Sequence, residues 1–196
     1  MWKYKTPGIP DSEFERTDNV PITKEEIRTI QISKARLSPG NIVYDIGCGS
    51  GSISVEAGLQ IESSGKVFAI DFDEQAVRLT KKNLEKFSVN NVSVIFGNAI
   101  ENIHNLPKAD AIFIGGTGGD TKDIVALCEK KLKPGGRIVI GIILIETFSS
   151  ILEIIDQLEF EQVDITQITI LKSRKTSAGT MMLARNPVTV ISATKT

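Results

Sequence analysis

The chain has 196 residues, with 23 Lys and Arg against 24 Asp and Glu, a net charge of −1, 41% hydrophobic and 24% charged residues. That is enough chain for one globular domain with a sizeable core, and the balanced charge gives no global attraction to nucleic acid. The 2 cysteines are too few for a disulfide framework and fit a reduced, cytoplasmic setting; the apolar run Ile138–Ile145 is far shorter than the roughly 20 residues of a membrane helix, and Met1–Pro7 lacks the apolar core of a signal peptide.

Residues 1–20 are polar, with Pro7, Gly8 and Pro10, and are expected to run extended over the surface. Thr23-Lys24-Glu25-Glu26 has the form of a capping box with Thr23 as N-cap, opening a helix to about Leu37 that stops at Pro39-Gly40. Strands then alternate with helices: strands at 42–46, 67–71, 92–96, 109–114 and 136–143, helices at 51–61, 74–87, 99–104, 120–132 and 147–158. This alternation predicts an α/β fold whose parallel sheet is covered by helices on both faces. The end of the chain differs. Residues 162–171 and parts of 180–193 alternate apolar and polar at period two, which predicts an antiparallel hairpin appended to the sheet, with Lys172, Arg174, Lys175 and Gly179 in its linker.

The stretch Asp45-Ile46-Gly47-Cys48-Gly49-Ser50-Gly51 joins the first strand to the second helix. Its glycines permit positive φ and a close approach to backbone, and a turn at a helix N-terminus offers N–H groups and a positive dipole end to a nucleotide. A dinucleotide loop reads G-x-G-x-x-G; the spacing here, D-x-G-x-G-x-G, is similar to the S-adenosylmethionine loop of class I methyltransferases. Asp71 ends the second strand, where an acid can accept both hydroxyls of an adenosine ribose, while Asp73 is the better N-cap for the helix that follows. Asn98, after the third strand, has an amide oxygen able to accept from an adenine amine, or it is a plain turn or cap residue; Ala99 beside it offers backbone.

Gly115-Gly116-Thr117-Gly118-Gly119-Asp120 follows the fourth strand. It lacks the prolines and aromatic residue of the clamp that many amino-group methyltransferases carry here. Its glycines leave an open wall for a bulky planar substrate, with Asp120 expected to cap the next helix. Glu146, after the fifth strand, reads either as a base or substrate ligand or as a solvated residue beside a Thr147 cap. His104, the only histidine, reads as a surface residue, and no metal-ligand spacing is present. Lys172, Arg174 and Lys175 with Arg185 form a basic cluster suited to substrate carboxylates, or a solvated loop. Methyl transfer mainly requires a nucleophile held in line, with a base only where a proton must be lost, so no catalytic triad is expected.

In order along the chain, Ile9-Pro10-Asp11-Ser12-Glu13-Phe14, Val20-Pro21-Ile22-Thr23, the Asp45–Gly51 loop, Gly115–Gly119, Gly179-Thr180-Met181-Met182 and Arg185-Asn186-Pro187-Val188 resemble the cobalt-precorrin-6B C15-methyltransferase (decarboxylating) family of anaerobic cobalamin biosynthesis. The resemblance covers nearly the full length. It implies a Rossmann-like class I methyltransferase fold, with a central, mostly parallel seven-stranded sheet, helices on both faces and a C-terminal antiparallel hairpin. It further implies S-adenosylmethionine as cofactor, held by Thr23, Gly47–Gly51, Asp71 and Ala99, and a tetrapyrrole substrate methylated at C15 with loss of the C12 acetate as carbon dioxide. A homotetramer, with neither nucleic acid nor membrane as partner, is also implied. Asn98 stands where the family often has Asp. Gly115, Gly116, Lys172, Arg174 and Arg185 are the candidate substrate contacts. Rival readings are a tRNA or protein methyltransferase of the same fold, or a binding subunit without turnover; the glycine spacing argues against a nicotinamide oxidoreductase.

Overall fold

The computed structural model describes residues 2–196. Five parallel strands, β1 (Ile42–Ile46), β2 (Lys66–Asp71), β3 (Val92–Phe96), β4 (Ala109–Ile114) and β5 (Leu132–Ile142), are joined by β9 (Val188–Lys195), antiparallel to β5, and β6 (Phe160–Ile168), antiparallel to β9. The sheet order is β3-β2-β1-β4-β5-β9-β6. The order reverses between β1 and β4, and in an open α/β sheet that reversal places a ligand crevice at the carboxyl ends of the strands.

Alternation along the strands divides the core into two layers. Val43, Val67, Phe113 and Val139 face α1 (Glu25–Ala35) and α2 (Ser52–Gln60); α3 (Glu74–Phe87) packs beside α2 through Leu84 and Phe87. Tyr44, Ile46, Ile112 and Ile140 face α4 (Ala99–Ile103), α5 (Thr121–Lys131) and α6 (Ile145–Ile155) through Ile103, Ile124, Cys128 and Ile151. Strands apolar on both faces are what a sheet covered by helices on both sides requires.

Several local expectations are corrected. Helix α1 starts at Glu25 without a capping box: the Thr23 side chain caps nothing, and the Glu25 N–H donates instead to Asp11 Oδ1 at 2.9 Å. A short 3-10 turn, Asp11–Glu13, brings that carboxylate in from outside the local sequence window. The helix ends at Ala35 because Arg36 turns left-handed, φ 52°. The N-terminal segment lies mostly at the surface, but Ile9, Phe14 and Val20 anchor it as buried residues; Met1 of that expected segment lies outside the described residues. Asp120 occupies the cap position of α5 but makes no side-chain cap bond, and the Thr117 and Thr121 hydroxyls pair there instead. Helix α6 begins at Ile145, so Thr147 sits inside its first turn rather than capping it.

The expected C-terminal hairpin is two-tiered. Its outer strands, β6 and β9, belong to the main sheet. The stretch read as a linker folds as a second hairpin, β7 (Leu171–Thr176) with β8 (Gly179–Ala184), a separate two-stranded arm in which every residue is exposed.

Candidate active site

A shallow cleft, open to solvent, lies at the carboxyl ends of β1–β4. Among the residues expected from sequence, Gly47, Asp71, Asn98, Ala99 and Gly116 line it. Thr117, read only as part of the Gly115–Gly119 loop, lines it too, as do Phe72 and Ile124, which were not read from the sequence. Phe72 sits directly after the strand-ending acid and is 63% exposed; a large aromatic in a turn position was the available signal.

The glycine turn is built for close packing as much as for a ligand. Gly47 has φ +69°, and a Cβ there would lie 2.2 Å from the Gly116 carbonyl oxygen. A Cβ on Gly49 would lie 2.8 Å from the Pro21 carbonyl oxygen, and one on Gly51 2.7 Å from Thr80 Cγ2. Gly115 belongs to the same approach, its Cβ position being 3.0 Å from the Gly47 carbonyl oxygen, whereas Gly116 has open space where a Cβ would stand. The turn's amides are engaged within the protein, contrary to the expectation that they face a nucleotide. Gly47 and Cys48 donate to Ile70 O, Ser50 to Pro21 O and Gly51 to Cys48 O, and Gly49 donates to Asp71 Oδ2 at 2.9 Å.

Asp71 is nearly buried between this turn and the cleft, and its Oδ1 also accepts the Asp73 N–H at 3.0 Å. Asp73, as expected, caps α3 through Gln75 N. Asn98 caps α4, its Oδ1 accepting the Ile100 N–H at 2.7 Å, so the amide oxygen already has one donor.

Asp45 is buried, receives the Ser54 hydroxyl and is not part of the cleft wall. Burial pushes its carboxyl up to about 7, with the Asp71 charge adding to the shift and the Ser54 hydrogen bond opposing it. The folded chain therefore holds a proton that an unfolded aspartate, at about 3.9, releases. This contribution to stability is complete below about pH 4 and is lost as pH rises through about 7. Asp45→Asn cannot ionise, so its stability relative to the parent is expected to rise by about 1.4 kcal/mol per pH unit between pH ~5 and ~7. Urea unfolding across that range measures this, and a pH-independent difference would refute it.

Cys48 is buried with Sγ 3.5 Å from Thr80 Oγ1, and burial pushes its thiol well above the usual range. Cys128 is held up in the same way. A neutral, enclosed thiol is a poor nucleophile, so native protein is expected to resist iodoacetamide at pH 8, with both cysteines labelled on unfolding. Intact mass spectrometry reads the outcome; rapid native labelling at Cys48 would contradict its enclosure. The Ser50 hydroxyl is buried in the same turn and has no partner among the described residues.

Two of the four residues of the basic cluster are ion-paired within the chain. Lys172 Nζ lies 2.6 Å from Glu26 Oε1 and 3.2 Å from Glu25 Oε2, and Arg185 Nη1 lies 3.1 Å from Glu26 Oε2. These pairs fasten the β7–β8 arm and the residue after it to α1. Arg174 and Lys175 are exposed and without an ion pair among the described residues. Glu146 is exposed in the first turn of α6 and off the cleft wall. Thr23 also lies off that wall; its carbonyl accepts from Arg28 Nη1. His104 ends α4, its carbonyl taken by Lys131 Nζ, and no group of metal-binding side chains occurs among the described residues.

A doubly wound sheet in this order, closed by an antiparallel strand pair, with a glycine turn after β1 and an acid ending β2, defines a class I methyltransferase. The sequence model of the precorrin methyltransferase domain matches residues 13–195, and the chain belongs to that family. It is 46% identical over 196 residues to the probable cobalt-precorrin-6B C(15)-methyltransferase (decarboxylating) of Saccharolobus solfataricus, covering 99% of this chain and 98% of the relative. Two solved structures superpose closely. Precorrin 8W decarboxylase of Methanobacterium thermoautotrophicum is 35% identical with a TM-score of 0.89, over 94% of this chain and 98% of the other. Precorrin-6y C5,15-methyltransferase of Geobacter metallireducens is 32% identical with a TM-score of 0.91, over 98% and 100%.

Proposed function

We propose that this enzyme methylates cobalt-precorrin-6B at C15 with S-adenosylmethionine and releases the C12 acetate as carbon dioxide, in cobalamin biosynthesis. The observation that carries the reading is the match along 99% of the chain to a relative named for that reaction. The cleft suits the cofactor. The Asp71 carboxylate borders it with one amide on each oxygen, which leaves acceptor capacity for ribose hydroxyls. Phe72 offers an exposed apolar face, and Gly116 leaves space where a side chain would stand. Asp71, Phe72, Ala99 and the Asn98 amide would hold the nucleoside, with Gly47 and Gly116 admitting the reacting end.

S-adenosylmethionine, when bound, supplies a methyl group already activated for transfer. The chain then has to orient the acceptor carbon and exclude water. Beside β4 in the sheet register, Ile140 pairs with Ile114, so the stretch after β5 runs next to the Gly115–Gly119 loop. Ile143, Leu144 and Ile145 there are 66%, 63% and 81% exposed, an apolar ledge suited to a flat macrocycle. The exposed Leu171, Met181 and Met182 of the arm suit burial against other copies in a cytoplasmic homotetramer.

Incubation with labelled S-adenosylmethionine and a cobalt-precorrin preparation, followed by mass spectrometry, tests the reaction. Gain of one methyl with loss of carbon dioxide is the expected product. Absence of that product together with tRNA binding that falls steeply with salt would favour the tRNA rival. Light scattering on the eluting protein is expected to give four times the chain mass, and a monomer would exclude the tetramer.

A further inference from the structure

The N-terminal segment and the buried pair Arg28–Glu56 lie outside the cleft, yet they reach its glycine turn. Arg28 in α1 is wholly buried, and Glu56 in α2 is 1% exposed. Arg28 Nε donates to Glu56 Oε1 at 2.6 Å. Its Nη1 donates to the Thr23 carbonyl and lies 3.4 Å from Asp11 Oδ1; its Nη2 donates to the Ile9 carbonyl. The guanidinium also sits 4.7 Å from the centroid of the Phe14 ring. Glu56 in turn accepts the Gly8 N–H at 2.9 Å and the Ile9 N–H at 3.0 Å. One planar fork thus fixes residues at both ends of the stretch 8–24 and ties them to the helix that follows the glycine turn.

Between those anchors the stretch crosses α3 and returns over the turn. Asn83 grips Glu15 through its backbone N–H and carbonyl and donates to the Ser50 carbonyl as well. Val20 is buried against Ala76 and Leu79. The Pro21 carbonyl accepts the Ser50 N–H at 3.2 Å, and its approach to Gly49 excludes a Cβ there. Gly49 donates on its other side to Asp71. The turn is therefore held between Pro21 and the acid that borders the cleft.

A buried ion pair is weak evidence of net stabilisation, because desolvation offsets the attraction. Its distinctive property is fixed geometry, and a guanidinium supplies donors in several directions that an ammonium cannot reproduce. We infer that Arg28 is a positioning residue for the cofactor site: with Glu56 and Asp11 it clamps residues 8–24 as a strap over the glycine turn, and the strap sets the turn's affinity for S-adenosylmethionine. This rests on the S-adenosylmethionine reading of the cleft.

The test compares Arg28→Lys with the parent in three measurements: thermal unfolding, calorimetric binding of S-adenosylhomocysteine at 25 °C, and hydrogen exchange of the Gly49 and Ser50 amides without ligand. Loss of the fork is expected to weaken binding about tenfold and to speed exchange at Ser50 by a similar factor, with kcat at saturating cofactor within about twofold of the parent. A variant that only unfolds at a lower temperature, with affinity and exchange unchanged, overturns the clamp. If Arg28→Lys fails to fold, Asp11→Ala at the clamp's partly open edge is put through the same readouts against the same expectations. Should the parent bind no S-adenosylhomocysteine, the cofactor reading falls, and Ser50 exchange still decides the clamp.

Discussion

Gly47→Ala is expected to abolish measurable binding of S-adenosylhomocysteine and to lower the melting temperature by about 10 °C. Two costs combine. At φ +69° an alanine adopts the left-handed region, at roughly 1–2 kcal/mol. Its Cβ would stand 2.2 Å from the Gly116 carbonyl oxygen and 3.0 Å from the Gly116 nitrogen, and overpacking against backbone adds about 1–3 kcal/mol. The strain is relieved only by separating the β1 and β4 turns, which are the two walls of the cleft. Gly116→Ala is the control, because nothing lies within 4 Å of its Cβ position. Its stability is expected to stay within about 0.5 kcal/mol of the parent, with the added methyl intruding only on the cleft. Calorimetry and thermal unfolding of both variants decide the point, and equal effects at the two glycines would remove the close-approach argument.

Asp71→Ala is expected to weaken S-adenosylhomocysteine binding by about 3–6 kcal/mol, two hydrogen bonds to a charged acceptor at roughly 1.5–3 kcal/mol each. It also costs stability, because the carboxylate holds Gly49 N at 2.9 Å and Asp73 N at 3.0 Å. Removing it frees the turn on one side and the entry to α3 on the other. Asp71→Asn keeps one acceptor oxygen and loses the charge, so it is expected to fall between Ala and the parent in both properties. Unchanged affinity in Asp71→Ala would end the ribose assignment, whatever happened to stability.

The parallel sheet was legible because its strands are short apolar runs, such as Ile42–Ile46 and Ala109–Ile114, separated by helical segments of ordinary length. The glycine turn and Asp71 were legible because local spacing defines both. The errors share a different cause. The true acceptor for the first amide of α1 is Asp11, fourteen residues away by chain, and Thr23-x-x-Glu26 reproduces the capping pattern without the geometry. The partners of Lys172 and Arg185 are Glu25 and Glu26 at the other end of the sequence, ion pairs that local reading cannot see. Period-two alternation ran from β6 towards β7 and hid the break that sends the arm out of the main sheet. Ile9, Phe14 and Val20 are single apolar residues in a polar stretch, and periodicity gives such anchors no signal.

The engaged amides of Gly47 to Gly51 also bear on which nucleotides are turned away. A diphosphate bound at a glycine turn requires free N–H donors, and here five consecutive amides already donate to carbonyls or to Asp71. A phosphate entering the turn would have to displace those acceptors, and Asp71 and Asp120 at the cleft would repel it. A nucleoside carrying a sulfonium and no phosphate would not need those amides as phosphate donors. On the S-adenosylmethionine reading proposed above, the same arrangement that closes the turn on itself would act as a charge filter against phosphate-bearing nucleotides.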